Sequence, residues 1–101
     1  MIHILTYNFS PNYLEERTPQ RMNHFEHLKP YIHRKELLLG GATDSESPEG
    51  ILIFDNLSRE EIEMFAKSDP YVINNIATSY KIEKWNAVAG CLIDYVKTSK
   101  T

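Results

Sequence analysis

"ILIFDNLSREEIEMFAKSD", residues 51–69, carries the two signals that decide the fold. Its first five residues are an apolar run closed by Asp55, the pattern of a strand buried on both faces. The segment that follows holds a capping box. Ser58 precedes the helix and Glu61 stands three residues on, so each side chain can accept from the other's backbone N–H. Leu57 and Ile62 flank that box with the spacing of a hydrophobic staple, and Ile62, Phe65 and Ala66 supply the buried stripe.

Outward from this core the chain reads as a second, similar half. "IHILTYNF" (2–9) is β-rich with apolar residues on both faces, Ile2 and Ile4 on one and Leu5, Tyr7 and Phe9 on the other. "SPN" breaks it. Thr18 and Pro19 read as an N-cap and first helical residue, opening a helix to about Glu36 that Pro30 should kink or divide. "LLLGGA" (37–42) is a short strand ending in glycines, and 43–50 is a polar loop. "PYVINN" is a turn, "IATSYKIEKW" (76–85) alternates as a strand, and a tail over 86–101 places Val88, Leu92 and Tyr95 at helical spacing.

The order β–α–β–β–α–β predicts an α+β, ferredoxin-like fold, with one domain over residues 1–101. Such a sheet has helices on one face only, yet its two central strands are apolar on both. A second copy of the chain is the economical cover, which predicts a homodimer with the 86–101 tail packed near the partner.

Bulk properties narrow the function classes. Net charge is −3, from 14 acids and 11 bases, with no basic run, so no nucleic-acid partner is expected. No segment approaches a membrane span, and the N-terminus lacks the basic region of a signal peptide. One cysteine, Cys91, excludes an intramolecular disulfide and points to the cytoplasm.

Chemistry concentrates in "RMNHFEHL" (21–28). On a helical wheel Arg21 falls among Met22, Phe25, Leu28 and Ile32, and His24 falls at the border of that sector. His27 and His33 point toward solvent. Two readings stand side by side: Arg21 snorkels past its neighbours while His24 is a hydrogen-bonded boundary histidine, or both line a pocket. His24 and His27 have metal-clamp spacing but no supporting ligands, so neither metal nor cofactor is expected. Asp69 is conspicuous because a carboxylate at a helix C-terminus opposes the helix dipole.

These segments resemble the YCII-related (YciI-like) family. "RMNHFEHL" is similar to its R-x-x-H-L-x-x-L helix, "ELLLGGA" to its G-x-L-L-x-A-G-P strand end, "SDPYVINNI" to D-P-Y/F-x-x-A-G-L and "YKIEKWNAVAG" to I-x-P-W-N-x-V-x-G. The resemblance implies a dimeric α/β barrel with a pocket holding a His–Asp acid/base pair. By motif position His24 is the histidine and Asp69 the aspartate, with Asp44 in reserve. Arg21, Tyr71 and Asp44 are the expected substrate contacts. One family branch is similar to chlorinated-hydroquinone dehydrochlorinases, and the barrel also resembles muconolactone isomerases. The implied activity is acid/base chemistry, of lyase or isomerase type, on a small cyclic or aromatic acid or phenol. The alternative is a dimer that binds a small molecule or a protein without turnover. Phe25, Ala42, Asn74, Asn75 and Lys84 depart from the family pattern, the asparagines replacing Ala-Gly where a left-handed backbone is tolerated.

Overall fold

The computed structural model describes residues 1–98. Strands β1 (Ile2–Phe9), β2 (Leu37–Ala42), β3 (Glu49–Asp55) and β4 (Ala77–Trp85) form one antiparallel sheet in the order β2-β3-β1-β4. The helices are α1 (Tyr13–Glu16), α2 (Arg21–His33), α3 (Arg59–Ser68), α4 (Pro70–Ile73) and α5 (Ile93–Thr98). This is the ferredoxin-like arrangement, and the two strands that read as two-sided, β1 and β3, are central.

Register decides which side each residue serves, because directly opposed residues share a face. Leu5 lies opposite Leu52 and Ile82, and Tyr7 opposite Gly50 and Tyr80. These residues, with Phe9 and Phe54, face the helices. Phe54 meets Phe65 of α3 edge to face with centroids 5.0 Å apart, at the centre of the core. The opposite face carries Ile4, Ile51, Ile53, Leu39 and Trp85, and there Leu39 is 72% exposed and Trp85 47%. Between this face and the segment around α5 runs a groove of about 830 Å³.

Gly50 has a specific role in the helix-side layer. A Cβ at this position would lie 2.8 Å from Phe9 Cζ and 3.3 Å from Tyr7 Cβ. Its absence lets the Phe9 ring fold over β3 and stack on Tyr13 with centroids 4.5 Å apart and planes 7° from parallel.

The capping box forms in both directions. Glu61 N–H donates to Ser58 Oγ at 3.1 Å and Ser58 N–H to Glu61 Oε1 at 2.9 Å, with Leu57 and Ile62 buried beside it.

The region before and within α2 differs from the sequence expectation. Tyr13–Glu16 forms a short helix that the sequence did not announce. Thr18 and Pro19 begin a 3-10 turn (Thr18–Gln20) rather than α2, and the Thr18 hydroxyl donates back to the Leu14 carbonyl. Pro30 does not divide α2. It lies in the last turn on an exposed side, where its missing N–H frees only the Glu26 carbonyl. The helix stops at His33 because Lys35 turns left-handed at φ 60°, and Glu36 N–H bonds the Tyr31 carbonyl in a Schellman closure. Asn75 adopts φ 57°, the conformation that asparagine suits.

The apolar wheel sector of α2 is only in part its core side. Met22 is 80% exposed, and the buried positions are His24 and Leu28. Among the described residues no helix is long and apolar enough to cross a membrane.

Candidate active site

Asp69 organises the site. It ends α3 but also opens α4 as its N-cap, with Oδ1 accepting from Tyr71 N–H at 2.9 Å and Pro70 at the first helical position. The unfavourable dipole of α3 is therefore countered by the favourable one of α4. From β1, the Tyr7 hydroxyl donates to Asp69 Oδ2 at 2.7 Å. From α2, His24 Nδ1 lies 2.8 Å from Oδ1. Asp69 is fully buried, and three donors from three elements hold its carboxylate.

This network fixes the imidazole. An ionised carboxylate only accepts, so the neutral form of His24 carries its proton on Nδ1 and leaves a lone pair on Nε2. Nε2 has no hydrogen-bond partner among the described residues, and the ring borders a cavity of about 420 Å³. Tyr71 stacks on the imidazole with centroids 3.8 Å apart and planes within 5°. Burial pushes the Tyr71 hydroxyl up from its ordinary pKa, and the Arg21 and Arg17 charges oppose that rise.

Tyr7 stays protonated because burial first, and the Asp69 charge second, push its pKa far above the ordinary 10.0. The sign of the linkage follows. Unfolded Tyr7 ionises near pH 10 while folded Tyr7 keeps its proton, so its contribution is present below that pH and is lost as pH rises beyond it. Tyr7→Phe should cost about 1–3 kcal/mol at neutral pH by leaving a buried carboxylate lone pair unsatisfied. It should also flatten the alkaline fall in stability, both effects measurable by urea unfolding at neutral pH and above pH 10.

The structure brings His24, Asp69 and Tyr71 into direct contact and sets Arg21 on the cavity wall, its guanidinium 5.0 Å above the Phe25 ring. Asp44 does not join them. It is exposed in the β2–β3 loop and is absent from the cavity lining, and the His24 partner is Asp69. His27 does not face solvent: its Nε2 donates to the Phe65 carbonyl at 2.9 Å, tying α2 to α3. The two imidazoles thus serve different partners, and no group of three His, Cys, Asp or Glu suited to a metal occurs among the described residues. Two residues escaped sequence reading. Tyr7 looked apolar, and its partner lies 62 positions away. Arg17 also lines the cavity, and the only hint was its spacing of four from Arg21.

A family model for the YCII-related domain matches residues 1–86. The chain belongs to this family. His24, Asp69, Tyr7 and Tyr71 all fall within the family domain, and α5 lies beyond it. No functionally curated protein matches the chain in sequence. Among solved structures it is similar to the 5-chloro-2-hydroxyhydroquinone dehydrochlorinase TftG of Burkholderia phenoliruptrix AC1100, solved with 2,5-dihydroxybenzoquinone. The TM-score is 0.74 at 20% identity, over 87% of this chain and 96% of that one, a likeness of fold.

Proposed function

We propose that this YCII-related protein is an acid/base catalyst of lyase or isomerase type acting on a small cyclic or aromatic acid or phenol. The observation that carries the reading is the buried Asp69–His24 pair, with Nε2 unpartnered among the described residues and the imidazole bordering a cavity large enough for one ring. Nε2 would take a proton from a ring carbon or hydroxyl. The electron pair left behind would form a new double bond, either expelling an anionic leaving group or accepting the proton back at another atom. Asp69 would stabilise the imidazolium formed in between, and Arg21 would hold the anionic group of an acid substrate. Proton transfer of this kind needs no redox cofactor. The dehydrochlorinase activity named for the structural neighbour is an elimination of the same chemical kind.

The test is solvent deuterium exchange. A panel of small cyclic acids and phenols is incubated in heavy water and followed by proton NMR. Loss of a ring C–H signal that depends on His24 supports catalysis, whereas binding with no exchange or conversion of any member favours the alternative of a non-catalytic dimer.

The same proposal includes a homodimer in the cytoplasm, joined through the open sheet face. Ile4, Ile51, Ile53, Leu39 and Trp85 form an apolar surface there, and a second sheet packed face to face would cover it. Tyr7 and Phe9 take no part, since they point to the helices. Sedimentation at micromolar concentration should give a dimer, and Ile53→Asp should convert it to a monomer. A stable wild-type monomer would overturn this assembly.

A further inference from the structure

The chain has four arginines, and their engagement divides them into two pairs. Arg34 bonds Glu36 at 2.8 Å, and Arg59 donates to the Ile82 carbonyl at 2.7 Å. Arg17 and Arg21 pair with no carboxylate among the described residues, and both line the cavity that His24 borders. Glu16, the nearest acid in sequence to Arg17, is taken by the Ser10 hydroxyl. No aspartate or glutamate among the described residues lines this cavity, so its wall is cationic in a chain whose net charge is −3.

Both guanidiniums are also positioned. Arg17 lies 5.5 Å above the Tyr13 ring, and Tyr13 is itself stacked on Phe9 of the cavity wall. Arg21 lies 5.0 Å above Phe25. A guanidinium held over a ring face keeps edge N–H groups that can meet a carboxylate in two parallel hydrogen bonds, and Arg21 also hydrogen-bonds the Tyr71 hydroxyl beside the cavity. The 3-10 turn of Thr18–Gln20 separates the two residues, both line the cavity, and both charges act on the Tyr71 hydroxyl.

We infer that Arg17 and Arg21 form a carboxylate clamp, so that the ligand is a ring acid held by its ionised carboxylate while the ring reaches His24. This rests on the cavity being the substrate site proposed above, and it narrows that site's ligands from phenols and acids to acids.

Calorimetry with a matched pair of probes, 2,5-dihydroxybenzoate and hydroquinone, tests it on the full-length wild type, Arg17→Gln and Arg21→Gln. The carboxylated probe should bind the wild type at least about tenfold more tightly than hydroquinone, the worth of one charge-assisted hydrogen-bond pair. Each substitution should remove about tenfold from the carboxylated probe and leave hydroquinone unchanged, and added salt should weaken only the former. Equal or weaker binding of the carboxylated probe, absent binding included, overturns the clamp, as does an unchanged Kd in both variants. The catalytic reading fails separately. Arginine-dependent binding of acids with no His24-dependent exchange would leave the clamp standing and remove the catalyst. Exchange of uncharged phenols with arginine-independent binding would do the reverse.

Discussion

Asp69→Ala is expected to be the most damaging single substitution for stability, at about 3 kcal/mol or more. Removing the carboxylate takes the N-cap from α4, worth about 1 kcal/mol, and strands the Tyr7 hydroxyl, Tyr71 N–H and His24 Nδ1–H together. Each buried donor left unmatched costs about 1–3 kcal/mol before water or relaxation offsets part of it. For a domain of this size the melting temperature should fall by about 12 °C or more. Asp69→Asn separates structure from charge. Tyr71 N–H keeps the amide oxygen on the side that His24 shares, and the amide nitrogen can donate to the Tyr7 oxygen. The fold should therefore lose about 1 kcal/mol while exchange slows by about 10- to 100-fold, the value of a charged over a neutral hydrogen bond to an imidazolium. Thermal melting beside the NMR exchange rate checks both. A variant Asp69→Asn as fast as wild type would remove the carboxylate from the mechanism.

His24→Asn is the counterpart with the largest effect on rate. An asparagine amide nitrogen can occupy the place of Nδ1 and keep the bond to Asp69, but it offers no base at the position of Nε2. Proton exchange should fall by about 10²–10⁴-fold, the range that a positioned general base contributes. Stability should drop by only about 1 kcal/mol, from the lost stack on Tyr71. His27→Ala supplies the control with the opposite profile. The rate should hold, while stability falls by about 2 kcal/mol because the Phe65 carbonyl loses its donor and α2 loses a contact with α3. Residual exchange in His24→Asn at the wild-type rate would assign the base elsewhere.

What the sequence disclosed follows from how local each feature is. The capping box at Ser58 and Glu61 is complete within four residues, so spacing alone revealed it. The central places of β1 and β3 were legible because burial on both sides leaves a continuous apolar record. His24 and Asp69 were found together through the family motifs, and Asp69 also by its awkward place at a helix end. The physical reason for that place was not visible, since the four-residue α4 that it caps is shorter than any periodicity can register. Helix α2 was misread at His27 and Met22 because its apolar residues are divided among core, cavity and solvent. A helical wheel shows one stripe and not what stands across from it. Tyr7 and Arg17 needed tertiary proximity to become meaningful, and no local pattern encodes that.

The missing side chain at Gly50 links two properties of the cavity. Phe9 rests over that glycine, Tyr13 rests on Phe9, and Arg17 rests on Tyr13. The depth of the chamber and the placement of one of its charges are thus carried by a single pile of rings. A larger residue at the base would tilt the pile and move the guanidinium with it. Divergence within this scaffold toward bulkier or slimmer rings therefore cannot tune size alone: each change of fit at the base also resets where a negative group is met at the rim.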